Sequence, residues 1–131
     1  MVVPISKTLD NLRVLIVDDN KDLAEFYSDL LSLNGCVTSV FNNGIDALTD
    51  FKFKINNYDL ILSDISMPGM TGDELAVEVL KLKPDMPIIL CSGFHPDLST
   101  DDLMKLGIKH FLPKPIDSTK LLDIINELKL C

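Results

Sequence analysis

The stretch YDLILSDISMPGMTG, residues 58–72, decides how this chain is read. Leu60, Ile61 and Leu62, with Ile65 just beyond Ser63 and Asp64, make an apolar run of strand length. A run without polar alternation suits a strand covered on both faces. At its end stands a carboxylate, Asp64, followed by the turn Pro68-Gly69. Burying a charge without a partner is costly. The rest of the sequence must supply Asp64 with company.

Working outward, the same pattern recurs. Leu12 to Val17 is apolar apart from Arg13, and a helical stripe follows from Lys21 to Leu33, stopped by Asn34-Gly35. Cys36 to Phe41 alternates, as an edge strand does, and Asn42-Asn43-Gly44 turns into a helix over Ile45 to Phe53. Leu60 to Leu62 is the third strand. Thr71 and Glu74 have the spacing of a capping box and open a helix to about Leu82, ended by Pro84. Ile88 to Cys91 is the fourth strand, followed by a short, polar helix from Ser99 to Leu106 that is expected to be mobile. Ile108 to Leu112 is the fifth strand, and Asp117 or Ser118 caps a last helix to about Leu130. Continuous apolar strands alternating with amphipathic helices predict an α/β fold, a doubly wound (βα)5 three-layer sandwich on a parallel five-stranded sheet.

Composition sets the outer bounds. The 131 residues suit one domain, and 47% apolar content with a mean hydropathy of +0.24 argues for a folded globule. The longest apolar runs, such as Met86 to Cys91, fall far short of the about 20 residues of a membrane span. The start, MVVPISKTLDN, has no basic region or cleavage site of a signal peptide. Cys36, Cys91 and Cys131 are widely spaced and odd in number, which fits reduced thiols in the cytoplasm better than disulfides or zinc. A net charge of −8 with scattered Lys and Arg speaks against nucleic acid. Residues 1–11 read as a tail or linker ahead of a domain over 12–131, and composition leaves both origins open.

The polar residues fall at the strand ends. Asp18-Asp19 follow the first strand, Asp64 the third, Ser92 the fourth, and Lys114 the fifth after Pro113. These are the carboxyl edges of a parallel sheet, where ligands bind. Three carboxylates brought together repel, so a pKa rises unless a cation intervenes. A hard divalent cation such as Mg²⁺ is the natural answer, and Lys114 adds a compact positive charge suited to phosphate. A nucleophilic carboxylate, a metal, a lysine and a hydroxyl together describe phosphoryl transfer to aspartate.

Val-Asp-Asp-Asn at 17–20, Asp-Ile-Ser-Met-Pro-Gly-Met-Thr-Gly at 64–72, Ser92-Gly93 and Lys114-Pro115 together resemble the receiver domain of two-component response regulators. The resemblance runs from about Leu12 to Leu130 and implies a flavodoxin-like sheet in the order 2-1-3-4-5. It implies that Asp64 is the phosphoacceptor, taking a phosphoryl group from a sensor histidine kinase or a histidine phosphotransfer protein. Asp18, Asp19, Asp64 and the backbone carbonyl of Ser66 would hold Mg²⁺, or Mn²⁺ in its place, with Asp18 acting mainly through water. Lys114 would pair with the phosphoryl group, Ser92 would be the switch hydroxyl and Phe111 the aromatic coupled to it. The Lys114–Pro115 bond is expected to be cis.

The surface of the fourth helix, fifth strand and fifth helix would report the switch to a partner or an attached output. Phe94 and Ser66 flank the path of attacking water in this family, so a bulky Phe94 predicts slow autodephosphorylation. Gly93 leaves room for a donor. The chain would be a switch that promotes its own phosphotransfer, not an enzyme, monomeric or weakly dimeric and free of membrane contact. The chain is similar to receivers of hybrid sensor kinases in its Ile-Leu-Cys-Ser-Gly-Phe run, so stand-alone and excised receivers both stay open.

Blander and rival readings stand beside these. Ser92 alone is an ordinary turn residue, Phe111 a core aromatic, Cys91 a buried thiol, His95 a surface histidine, and Met67 and Met70 packing under a loop. A dehalogenase-type phosphatase needs Asp-x-Asp on its first strand, whereas Asp18 and Asp19 are adjacent. A phosphorylation-independent interaction module would tolerate a broken site, and every site position here is filled. Pro113 departs from the family pattern and predicts a local distortion of the fifth strand.

Overall fold

The computed structural model describes residues 9–93 and 100–130. Strands and helices alternate as β1 (Arg13–Val17), α1 (Lys21–Leu33), β2 (Val37–Phe41), α2 (Gly44–Phe53), β3 (Leu60–Asp64), α3 (Gly72–Leu82), β4 (Ile88–Ser92), α4 (Thr100–Lys105), β5 (His110–Pro113) and α5 (Ser118–Leu130). All four strand pairings are parallel, in the order β2-β1-β3-β4-β5. The α/β doubly wound sandwich and its strand order are as expected.

Alternation of side chains across each strand divides the core into two layers. On β1, Val14 and Ile16 pack with Ala24, Tyr27 and Leu31 of α1 and with Leu121 and Ile125 of α5. Leu15 and Val17 point the other way, against Ala47 and Phe51 of α2 and Leu75 and Val79 of α3. Every residue of β3 is buried, which explains its unbroken apolar character. β2 lies at an edge and is half exposed, as its alternation indicates.

Several boundaries move toward the polar positions. β3 runs through Asp64 because Asp64 pairs in register with Cys91, so Ser63 and Asp64 belong to the strand and do not follow it. β4 likewise extends to Ser92, which pairs with Pro113. β5 starts at His110, with Ile108 buried ahead of it. The ladder continues through Pro113, which pairs in register with Ser92. The Lys114 N–H donates to the Ser92 carbonyl at 2.8 Å, so by alternation position 113 faces away from β4 on an edge strand. α4 is as short as expected, with Leu103 buried and Met104 exposed; Ser99 lies outside the described residues.

Caps follow local chemistry. Asn20 Oδ1 accepts from the N–H groups of Asp22 and Leu23, each at 3.1 Å, and starts α1 directly behind the acidic pair. Glu74 accepts from the Thr71 N–H at 3.0 Å and starts α3; that bond holds the Glu74 carboxyl below its ordinary range. Residues 9–11, inside the stretch read as tail or linker, touch the fold. Leu9 is fully buried in the α1/α5 layer, and the Asn11 N–H donates to the Gly35 carbonyl at 2.9 Å.

Candidate functional site

β1 ends by handing its backbone to β2. The Asp18 N–H donates to the Phe41 carbonyl at 3.1 Å, and Asp18 Oδ1 accepts from the Asn20 N–H at 2.9 Å. Asn42 Nδ2 donates to the Asp18 carbonyl at 2.9 Å. This leaves the Asp18 side chain buried, only 2% exposed, while Asp19 faces solvent.

Asp64 sits one strand away at the end of β3 and is 7% exposed. Ser63 Oγ donates to the Asp64 carbonyl at 2.9 Å, and the Ser66 backbone N–H donates to the Asp64 carboxylate. α3 closes over this backbone, with the Gly72 N–H on the Ile65 carbonyl at 2.9 Å.

Lys114 reaches in from β5. Its Nζ lies 3.0 Å from Asp18 Oδ2 and 3.2 Å from Asp64 Oδ2. The Lys114–Pro115 bond is cis, as expected. Carboxylate oxygens of Asp18, Asp19 and Asp64 lie within 4.8 Å of one another. One ammonium, paired with two of them, therefore serves a cluster of three carboxylates, and negative charge is in excess.

Burial and pairing together set the protonation of Asp64 and Lys114. Burial raises the Asp64 pKa; Lys114 opposes the rise and Asp18 reinforces it, so the carboxyl stays above its ordinary value despite its ion pair. For Lys114, burial works downward, but the hydrogen bond to Asp18 and the charge of Asp64 outweigh it and the pKa is raised. Lys114 thus favours its charged form, and Asp64 is the acid left short of compensation. Nearby, burial pushes the Cys91 thiol up to about 12, which makes it inert, as expected of a core thiol. Burial likewise pushes the Tyr27 hydroxyl up to about 12, reinforced by the same acids.

An all-oxygen donor set with surplus negative charge fits a hard divalent cation such as Mg²⁺ or Mn²⁺. Asp18, Asp19, Asp64 and Lys114 are thus brought together. Ser92 lies at the same edge, half-buried, with its hydroxyl 3.4 Å from the Gly93 carbonyl. Phe111 is half-buried against the α2/α3 layer. Ser66 is exposed, Met67 is buried and Met70 packs against the same layer. Phe94 and His95 lie outside the described residues.

Two features escape sequence reading. Asn42 reads as a turn residue, and only the β1–β2 register brings it to Asp18. An apolar cleft lined by Leu23, Phe26, Tyr27, Pro115 and Ile116 opens beside Lys114. The helical stripe marks Leu23 and Phe26, but nothing local shows that Phe26 stays 52% exposed.

A parallel sandwich in this strand order, with an acidic pocket and a lysine at its carboxyl edge, is the arrangement that the resemblance to receiver domains implies. The family model of the response regulator receiver domain matches residues 14–126. The chemotaxis protein CheY of Thermotoga maritima is 31% identical over 117 residues, covering 88% of this chain and 96% of that protein. A transcriptional regulatory protein, the CpxR homolog of Haemophilus influenzae, is 33% identical over 117 residues, but there the match spans 49% of the protein. A response regulator receiver domain protein from Clostridium thermocellum superposes with a TM-score of 0.84 at 28% identity, covering 90% of this chain and 94% of that one. The chain belongs to the response regulator receiver family. No helix among the described residues is long and apolar enough to cross a membrane.

Proposed function

We propose that this chain accepts a phosphoryl group on Asp64 from a phosphohistidine protein and so switches a partner or an attached output. The observation that carries the reading is the convergence of three carboxylates, their oxygens within 4.8 Å of one another, with the Lys114 ammonium paired to Asp18 and Asp64. In the transfer, an Asp64 oxygen bonds to phosphorus while the P–N bond to the donor imidazole breaks, its electron pair staying on nitrogen. Asp18, Asp19, Asp64 and the Ser66 carbonyl would hold Mg²⁺ or Mn²⁺, which when bound neutralises charge on the transferring group.

Lys114 begins paired with both buried acids and turns its ammonium to the new phosphoryl oxygens. Gly93 has open space where a side chain would stand, leaving a path for the donor. Ser92 then bonds a phosphoryl oxygen and Phe111 repacks, biasing a pre-existing two-state equilibrium at α4, β5 and α5. The domain acts in the cytoplasm as a switch that promotes its own phosphotransfer and autodephosphorylation. Its partner is a sensor histidine kinase or a histidine phosphotransfer protein.

The test is intact mass after incubation with acetyl phosphate or phosphoramidate. Wild type is expected to gain one phosphoryl group only with Mg²⁺, and Asp64→Asn none. A gain that survives Asp64→Asn would place the chemistry elsewhere, and no gain in Mg²⁺-loaded protein would favour the interaction module.

The apolar cleft beside Lys114 supports a protein donor, because the surface continuous with the acids is greasy at Leu23, Phe26 and Ile116. Phe26→Asp is expected to slow phosphotransfer from a phosphohistidine protein at least tenfold, as loss of an aromatic contact does. Its labelling by acetyl phosphate should match wild type. Equal slowing with both donors would mean that Phe26 supports the site and not the donor.

A further inference from the structure

Asn42 is the first residue beyond β2, and its Nδ2 donates to the Asp18 carbonyl at 2.9 Å. That carbonyl belongs to the planar peptide unit joining Asp18 to Asp19. Holding its oxygen sets the plane from which the Asp19 Cα departs. The preceding peptide is held too, since the Asp18 N–H donates to the Phe41 carbonyl at 3.1 Å. Consecutive residues of one chain segment, Phe41 and Asn42, therefore grip the peptide groups on both sides of Asp18.

Asp18 and Asp64 are placed by burial, at 2% and 7% exposure, whereas Asp19 is exposed. Asp19 has no such burial to hold it, so its position depends on the backbone that carries it. Resting on the reading of the acids as a divalent-cation site, we propose that Asn42 is a positioning residue for that site. Its amide keeps the Asp18–Asp19 peptide oriented so that the Asp19 carboxylate stays within reach of the other two. Side chains behind a ligand set commonly tune metal affinity in this way.

The test is Mn²⁺ titration of the whole chain, followed by the paramagnetic resonance signal of the free ion. Asn42→Ala is expected to weaken Mn²⁺ binding about five- to tenfold. Asn42→Ser, whose hydroxyl is too short to reach the carbonyl, should lose as much. Leu9→Ala, which opens a cavity at the opposite end of β1, should bind Mn²⁺ as wild type does while unfolding at a lower temperature. Wild-type affinity in both Asn42 variants, or an equal loss in Leu9→Ala, would overturn the positioning role. Mn²⁺ uptake by wild type no greater than by Asp64→Asn would overturn the cation site itself, and the role of Asn42 with it.

Discussion

Lys114→Ala is expected to destabilise the metal-free domain by about 3 kcal/mol, the order of loss when one partner of a buried ion pair is removed. Phosphoryl acceptance from acetyl phosphate should also disappear. The lysine lies 3.0 Å from Asp18 and 3.2 Å from Asp64, and these carboxylates are 2% and 7% exposed. Without the ammonium, two buried acids face each other with nothing between them. The Asp64 pKa, already raised by burial against the pull of Lys114, rises further.

The sign of the pH dependence follows from that direction. A carboxyl with a raised folded pKa contributes stability that is fully present below its unfolded pKa. That stability is lost as pH rises through the folded value. Metal-free wild type therefore loses the Asp64 contribution as pH climbs out of the ordinary carboxylate range, and Lys114→Ala loses more of it, over a window reaching higher pH. Divalent cations should restore stability more in the variant than in wild type, because the ion takes the place of the missing charge. Urea unfolding between about pH 4 and pH 7, with and without Mg²⁺, measures this. Equal stability of the two proteins across that range would refute the account.

Gly72→Ala is expected to cost about 3 kcal/mol, at the upper range for overpacking, and to lower the melting temperature by about 10 °C. A Cβ at residue 72 would lie 2.1 Å from the Asp64 carbonyl oxygen and 2.9 Å from both the Asp64 carbonyl carbon and the Ile65 Cα. All three are backbone atoms of the strand end that carries the acid, so no flexible side chain can yield. Either α3 lifts away, breaking the bond from the Gly72 N–H to the Ile65 carbonyl, or the Asp64 backbone shifts out of its ladder with β4. Both routes should also cut the phosphorylation rate. Gly93→Ala supplies the contrast, since a Cβ there meets nothing within 4 Å and stability should hold. A melting temperature for Gly72→Ala within a few degrees of wild type would show that the contact relaxes cheaply.

The layered architecture is legible in the sequence, and so is the set of polar residues that gathers at one sheet edge. Unbroken apolar strands such as Leu60–Leu62 exist because β3 is covered on both faces, a property carried by each residue and therefore legible locally. Residues at the carboxyl ends of such strands lie at one edge of any parallel sheet, so the grouping of Asp18, Asp19, Asp64, Ser92 and Lys114 follows from their places in the sequence. The adjacency of Asp18 and Asp19 argued against the phosphatase alternative, and the family match over residues 14–126 agrees.

Other features depend on pairings between distant segments. Strand ends moved because register, not composition, carries Asp64 opposite Cys91 and Ser92 opposite Pro113. Pro113 keeps its place in the ladder because it sits on an edge strand with its missing N–H turned away from β4, a fact about its neighbours. Leu9 reads as part of a tail, yet the face shared by α1 and α5 buries it fully. The grip of Asn42 on Asp18, 24 residues apart, and the ion pairs of Lys114 with Asp18 and Asp64 arise only when folding closes those loops. Periodicity is a property of consecutive residues, whereas a hydrogen bond across the sheet belongs to a geometry that no single segment contains.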